Sequence, residues 1–257
     1  MAAPVFLGGA YAGGWYWAVL VAGIAAAAQW ELYGMARTTG LRPLRAVGLA
    51  LGTGGVLAAQ WPALAVAVGA AFVILLPCTP WLVPQERFLE SLAVTVLGVI
   101  YPAGLLGALV LLRNGPAEPL PPFVLVVLVL FLVWATDIFA YYVGRTMGRH
   151  ALAPTISPNK TWEGTAGGAV AALAMAVAFK LTVLPALAWV DVAVVAGIGG
   201  GISQAGDLVE SQMKRATGTK DAGSLLPGHG GLLDRFDSMA VAAPLLYLYL
   251  RFVAGLL

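Results

Sequence analysis

The chain is poor in charged residues and in cysteine. Only 10% of its 257 residues are charged, and its formal net charge is +2 at pH 7. So few charged side chains cannot coat a soluble globular protein, and so small a net charge gives no electrostatic basis for binding nucleic acid. The single cysteine, Cys78, excludes an intrachain disulfide framework, and no second Cys or His stands beside it at the spacing of a zinc site.

Apolar residues dominate what is present. They make up 60% of the chain, the mean hydropathy is +0.89, and many form continuous runs of about 18 residues or more. We therefore predict an all-α integral membrane protein, a polytopic transmembrane helical bundle of about eight spans, with limits of seven and nine. The predicted spans are residues 13–36, 46–60, 62–77, 89–112, 122–143, 164–182, 189–213 and 237–257. The second and third are short for a hydrocarbon core about 30 Å thick, so we expect a tilted or re-entrant hairpin there.

The basic residues are distributed unevenly between the two sides of this topology. Eleven of the fourteen Lys and Arg residues fall in loops on one side, and only Arg113, Lys180 and Arg251 fall on the other. The positive-inside rule places the richer side in the cytoplasm, so we expect a multi-pass protein of the cell inner membrane. We expect one integrated membrane domain, in which residues 1–120 supply N-terminal helices and residues 121–257 carry the polar motifs.

The most informative segment is residues 211–237, between two apolar runs, where bases and acids are concentrated. Its bases can hold phosphate oxygens and its carboxylates can hold Mg²⁺, which is the combination needed for metal-assisted chemistry on a nucleoside triphosphate. The bases are Lys214, Arg215, Lys220 and Arg235, and the acids are Asp221, Asp234 and Asp237. His229, among glycines and a proline, is interpreted as a phosphate donor or proton shuttle, with a structural role in a turn as the alternative.

Paired acids occur at helical spacing. Asp207 and Glu210 are three residues apart, so on a helix they share a face with Ser211. Acids at membrane depth are costly unless they face a cavity, which favours a functional role; the alternative is simple pairing with Lys214 and Arg215.

Asp234 and Asp237 are also three residues apart, at the start of the last span. If that helix begins near Leu232, the two carboxylates point the same way and can share a divalent cation. The alternative is that acids in a first turn cap the helix and complement its dipole.

A further acid, Asp137, lies near the end of the predicted span 122–143. Asp137 is interpreted as a nucleotide or metal ligand, and Arg145, one turn beyond the apolar run, as a substrate-binding base. The alternative for Asp137 is a buried acid that is hydrogen-bonded to Arg145 or Tyr141.

The loop that follows is predicted to present Lys160 to an anionic group. Residues 157–158 suit a turn, Thr161 suits the N-cap of the next helix, and the spacing of Gly164 and Gly168 favours helix packing.

Residues 211–237 read SQMKRATGTKDAGSLLPGHGGLLDRFD. Without a gap, this run resembles the signature of the phosphatidate cytidylyltransferases, also called CDP-diacylglycerol synthases. Residues 136–148, 156–164 and 206–211 are also similar to that family, so the resemblance covers roughly the C-terminal half of the chain.

The resemblance implies the reaction of CTP with phosphatidate to give CDP-diacylglycerol and pyrophosphate, in phospholipid biosynthesis. It also implies a requirement for Mg²⁺, a second cation such as K⁺, a cytoplasm-facing cavity open to the lipid bilayer, and a homodimer. Dimer contacts and lipid access are assigned to residues 1–120. Carried over residue by residue, the functional positions are Asp137, Asp207, Asp234 and Asp237 as metal ligands, with Lys160 and Ser211 beside them.

The expected mechanism is in-line attack of a phosphatidate oxygen on the α-phosphorus of CTP, without a protein nucleophile. Two other functions stay open. One is transfer of phospho-sugars to polyprenyl phosphate, which also uses aspartates at a membrane surface. The other is a transporter in which Asp137, Asp207 and Glu210 bind a coupling ion, but that function leaves residues 211–237 without a role.

Overall fold

The computed structural model describes residues 2–82, 85–223 and 230–257. Within them, six helical runs are long and apolar enough to cross a membrane, and shorter apolar helices occupy Arg45–Ala58 and Ala63–Leu75. The six are Gly14–Thr38, Gln85–Arg113, Pro122–Met147, Trp162–Thr182, Trp189–Ala216 and Leu233–Val253. The prediction of an all-α polytopic membrane protein is confirmed, and the two short helices coincide with the predicted hairpin.

The helices are interrupted more often than the hydropathy pattern indicates. In the described residues they are α1 (Ala2–Ala12), α2 (Gly14–Thr38), α3 (Arg45–Ala58), α4 (Pro62–Leu75), α5 (Thr79–Leu82), α6 (Phe88–Gly98), α7 (Leu105–Arg113), α8 (Pro122–Met147), α9 (Trp162–Thr182), α10 (Trp189–Gly197), α11 (Ser203–Ala216) and α12 (Leu233–Leu248). Wider π-helical turns join α6 to α7 at Val99–Gly104 and α10 to α11 at Ile198–Ile202, and another follows α12 at Tyr249–Val253. These turns keep each long span continuous.

A small antiparallel hairpin precedes α9. Its strands are β1 (Ala151–Ala153) and β2 (Ser157–Thr161), and Ala151 pairs with Thr161. The turn predicted at residues 157–158 is therefore wrong, because these residues lie in β2 and the chain reverses at residues 154–156. The predicted N-cap is confirmed, since the Thr161 hydroxyl accepts a hydrogen bond from the Gly164 N–H at 3.1 Å.

The chain divides into two compact units, and the first comprises Met1–Leu111 and Met213–Phe236. At its centre the Tyr33 hydroxyl accepts a hydrogen bond from Gln29 Nε2 at 2.8 Å and donates to the Thr95 carbonyl at 2.7 Å. An apolar cluster formed by Ala28, Leu32, Met35, Tyr101, Ala222 and Leu233 joins α2 to the later segment. Buried apolar contacts of Ala222 and Leu233 therefore hold this part of the 211–237 segment against α2.

The second unit comprises Leu112–Gln212 and Asp237–Leu257. Helices α8 and α9 pack closely within it, and the Thr136 hydroxyl donates to the Gly199 carbonyl at 2.9 Å. The predicted packing role of Gly164 and Gly168 is confirmed, because a side chain at either position would lie against α8. The boundary expected at residue 120, and the dimer and lipid-access roles of residues 1–120, stay predictions.

Replacing Gly168 with alanine should destabilise the second unit. A Cβ atom at this position would lie 2.9 Å from the Thr136 carbonyl oxygen, which is too close, so α8 and α9 must separate. We expect a loss of about 1–3 kcal/mol, the usual cost of overpacking. The matched control is Gly197→Ala, because a Cβ there meets nothing within 4 Å and helix propensity then favours alanine. Thermal unfolding in detergent measures both, and equal midpoints would contradict this account of the packing.

Candidate active site

Lys160 is held in place by the connection between the hairpin and α9. One Glu163 carboxylate oxygen accepts hydrogen bonds from the backbone N–H groups of Arg149 (3.1 Å) and His150 (3.2 Å). The other oxygen lies 2.6 Å from His150 Nδ1. These contacts hold the chain just before β1, and the Thr161 cap holds the end of β2, against the start of α9.

Lys160 reaches an acid of α11. Its Nζ lies 2.6 Å from Asp207 Oδ2, and the Ser211 hydroxyl donates to Asp207 Oδ1 at 3.1 Å. Both members of the ion pair are partly exposed, so the charges stay accessible to a ligand. The structure therefore brings three of the predicted site residues into direct contact.

Behind Asp207 lies a cluster of acids. One oxygen from each of Asp207, Glu210 and Asp237 lies within 4.8 Å of the other two. Glu210 is 1% exposed and Asp237 is 7% exposed, so solvent does little to screen their charges. Buried carboxylates this close are destabilised when ionised unless a cation neutralises them, which makes this donor set suited to a hard divalent metal ion.

A glycine allows this cluster to form. A side chain at Gly206 would meet the Asp237 carbonyl oxygen at 2.7 Å, so α11 approaches α12 closely only without a Cβ. The spacing of Glu210 from Asp207 favours a functional role for it, but the resemblance assigns it no metal or substrate contact. That spacing was the signal that could have included it.

An open cavity of about 630 Å³ lies beside Lys160 and Asp207. Its size suits a small polar ligand or headgroup. Asp137, Arg145 and Gln204 also line it. Asp137 lines this cavity, and its two interpretations, as a nucleotide or metal ligand and as a structural acid, both stay predictions. Arg145 donates to the Tyr141 hydroxyl at 2.8 Å.

In the first unit, Asp234 organises the polar segment ahead of α12. Its Oδ1 lies 2.7 Å from Lys214 Nζ, and its Oδ2 accepts hydrogen bonds from the N–H groups of Gly231 (2.8 Å) and Ala222 (3.1 Å). Both amides precede α12, so these contacts do not test the alternative in which Asp234 caps that helix. Sharing a cation with Asp237 stays a prediction for Asp234.

The remaining predicted phosphate contacts are surface residues. Exposed side chains belong to Arg215, Lys220, Asp221 and Arg235. His229 lies outside the described residues. The ion pairs of this region join Lys160 to Asp207 and Lys214 to Asp234, and the alternative in which Asp207 and Glu210 pair with Lys214 and Arg215 stays a prediction.

One buried acid was missed in the sequence. Glu31 of α2 is 4% exposed, and its Oε2 accepts a hydrogen bond from the Leu233 N–H at 2.9 Å. The two residues are 202 positions apart, so no local spacing could reveal the contact.

Comparison with known proteins identifies relatives. Residues 1–253 match the Cytidylyltransferase family. The chain is 50% identical over 127 residues to the phosphatidate cytidylyltransferase of Brucella abortus biovar 1 (strain 9-941), which covers 49% of this chain and 47% of the relative. It is 46% identical over 119 residues to the Bacillus subtilis (strain 168) protein of that name, covering 46% of this chain and 44% of the relative.

A third relative is the phosphatidate cytidylyltransferase of Haemophilus influenzae, which is 41% identical over 145 residues, or 53% of this chain and 49% of the relative. The chain spans about half the length of the curated relatives it matches.

Proposed function

Because the chain belongs to the cytidylyltransferase family, we propose that it transfers the cytidylyl group of CTP to phosphatidate. A phosphatidate oxygen attacks the α-phosphorus of CTP and forms a new P–O–P bond. The bond from the α-phosphorus to the bridging oxygen breaks, and pyrophosphate leaves. The products are CDP-diacylglycerol and pyrophosphate, which makes the protein a nucleotidyltransferase of phospholipid biosynthesis.

The observation that supports this proposal best is the acid cluster of Asp207, Glu210 and Asp237, of which Asp207 lines the cavity. Its donor set fits a divalent cation, because every donor is a carboxylate oxygen and two of the three side chains are buried. We assign Mg²⁺ to these residues, with Asp137 and Asp234 as further candidate ligands and K⁺ as the second cation. Bound Mg²⁺ would supply neutralisation of the charge that develops on the leaving pyrophosphate.

Binding and orientation of the two substrates are assigned to individual side chains. Lys160, at the cavity, orients the phosphatidate headgroup, and Ser211 holds the Asp207 carboxylate in place. A phosphate monoester is already largely ionised near neutral pH, so the attack needs no strong general base. Contacts to the triphosphate are assigned to Lys214, Arg215, Lys220 and Arg235, with Arg145, Asp221 and His229 as further substrate contacts.

We also propose a membrane location, a sidedness and an oligomeric state for the enzyme. We place it in the cell inner membrane as a homodimer, with the cavity facing the cytoplasm, in accordance with the uneven distribution of Lys and Arg.

Thiol labelling of Lys220→Cys in a Cys78→Ser background, from either side of the membrane, checks the sidedness. Crosslinking in native membranes checks the dimer, and a monomer would contradict that part.

Label transfer tests the reaction itself. Purified protein in mixed micelles should move radiolabel from α-labelled CTP into a lipid fraction, and only with phosphatidate and Mg²⁺ present. Label from γ-labelled CTP should appear in pyrophosphate alone. Transfer that requires a nucleotide-sugar and polyprenyl phosphate would replace this function with the phospho-sugar transferase, and ion flux into sealed vesicles without CTP consumption would replace it with the transporter.

A further inference from the structure

We propose that Glu31 is a positioning residue that anchors the phosphate-binding segment, defined here as residues 213–223 and 230–236, to helix α2. The inference deepens the proposed function and rests on it for the role of that segment in binding CTP. The anchor itself is a structural property that can be measured without any substrate.

The carboxylate of Glu31 sits at the start of α12. Its Oε2 accepts a hydrogen bond from the Leu233 N–H at 2.9 Å. Because α12 begins at Leu233, this N–H group belongs to the helix end that has no partner within the helix. A negative side chain there also complements the positive end of the helix dipole. Glu31 therefore caps α12 from a distant part of the chain.

Two glycines of the same segment surround the carboxylate. A side chain at Gly223 or at Gly231 would occupy the space that the Glu31 carboxylate fills. The segment thus approaches Glu31 from both of its described parts, before and after residues 224–229. Apolar contacts of Ala222 and Leu233 with α2 lie in the same region. The Leu233 hydrogen bond, the close fit of the two glycines and the neighbouring apolar contacts together favour one fixed arrangement of the segment.

This anchor determines which groups are left to bind a triphosphate. Glu31 occupies the N–H of Leu233, and Asp234 occupies those of Gly231 and Ala222. Glu31 and Asp234 therefore occupy these amides, of which that of Leu233 belongs to α12, although a helix N-terminus is otherwise a ready anion site. Contacts to phosphate fall to the basic side chains of the segment, and Glu31 sets the backbone from which they project.

Tryptic cleavage after Lys220 measures the anchor directly, because Lys220 is exposed within the segment. In the full-length protein in detergent, Glu31→Ala should raise the cleavage rate at Lys220 by roughly tenfold to a hundredfold, since hydrogen bonds to a charged acceptor are lost. Glu31→Gln keeps an acceptor oxygen but loses the charge, so it should give a smaller increase. Gly231→Ala displaces the carboxylate and should reproduce the Glu31→Ala result.

Two controls separate a local anchor from general loosening. Glu90→Ala removes an exposed acid of the same unit, which pairs with Arg87 at 3.4 Å, and should leave cleavage at Lys220 unchanged. Cleavage after Lys180, in the second unit, should also stay at the wild-type rate in every variant. Unchanged cleavage at Lys220 in Glu31→Ala, or an equal rise at Lys180, would overturn the proposal. If Glu31→Ala fails to fold, Glu31→Gln and Gly231→Ala carry the same test.

Kinetics then connect the anchor to CTP. We expect Glu31→Gln to raise the KM for CTP several-fold, with the KM for phosphatidate close to wild type, because only the phosphate-binding segment is loosened. An equal effect on both substrates would remove the link to CTP. A wild-type protein that does not consume CTP would refute the proposed function and leave the cleavage result standing, so the two failures can be told apart.

Discussion

Replacing Asp237 with asparagine should lower kcat for CDP-diacylglycerol formation by about 10³-fold, because a metal ligand supplies several kcal/mol of transition-state stabilisation. Asparagine keeps the shape of the side chain and removes one of three crowded carboxyl groups. Since repulsion among buried carboxylates is relieved, thermal stability without metal should be equal to or higher than that of the wild type. The variant should therefore be folded and inactive. Kinetic assays and thermal unfolding of the same preparation measure both quantities.

Asp207→Asn should show a similar loss of activity, and Glu210→Gln tests whether the acid that the sequence left unassigned takes part. The matched control is Asp191→Asn, another buried acid of the second unit. Asp191 accepts hydrogen bonds from the Tyr249 hydroxyl (2.6 Å) and the Ala188 N–H (2.6 Å). It lies sixteen residues before Asp207 in the same span, roughly 24 Å along a helix. Near-normal activity in Asp237→Asn, or an equal loss in Asp191→Asn, would contradict the metal assignment.

Replacing Lys160 with methionine should lower kcat/KM for phosphatidate by about 10²-fold, the usual effect of removing one charged contact to a reacting phosphate. Methionine retains most of the length and apolar bulk of lysine, so the loss isolates the ammonium group that pairs with Asp207. Lys160→Arg should recover only part of the activity, because a planar guanidinium does not occupy the position of an ammonium.

Lys180→Met is the control for this prediction. Lys180 donates to the Pro185 carbonyl at 3.4 Å at the far end of α9, so its loss should leave both KM values unchanged. Wild-type kinetics in Lys160→Met would show that the lysine serves only to neutralise Asp207.

Much of the fold could be predicted from the sequence because membrane spans are local features. A continuous apolar run predicts a span whatever other helices it packs against. The predicted runs coincide with helices that the structure describes. The hairpin before α9 was missed because Ser157 and Pro158 are common turn residues, and their pairing in β2 depends on a partner strand. The π-helical turns leave no trace in hydropathy.

The site was predictable only where its residues share one helix. Asp207 and Glu210 stand at helical spacing, so their common face follows from sequence. The contacts of Asp207 with Lys160, and of Glu31 with Leu233, join residues 47 and 202 positions apart. No periodicity records such contacts, because they depend on how helices pack. Asp234 shows a second limit, because its spacing from Asp237 fits both cation binding and helix capping, and that spacing does not reveal its contacts with Lys214 and Gly231.

Direct metal binding tests the central claim, that Asp207, Glu210 and Asp237 form one cation site. Mn²⁺, a spectroscopic substitute for Mg²⁺, can be titrated into the full-length protein in detergent and followed by electron paramagnetic resonance. We predict a saturable site in the wild type and in Asp191→Asn that is lost in both Asp207→Asn and Asp237→Asn. Binding of Mn²⁺ with unchanged stoichiometry and affinity in the two cluster variants would contradict the account.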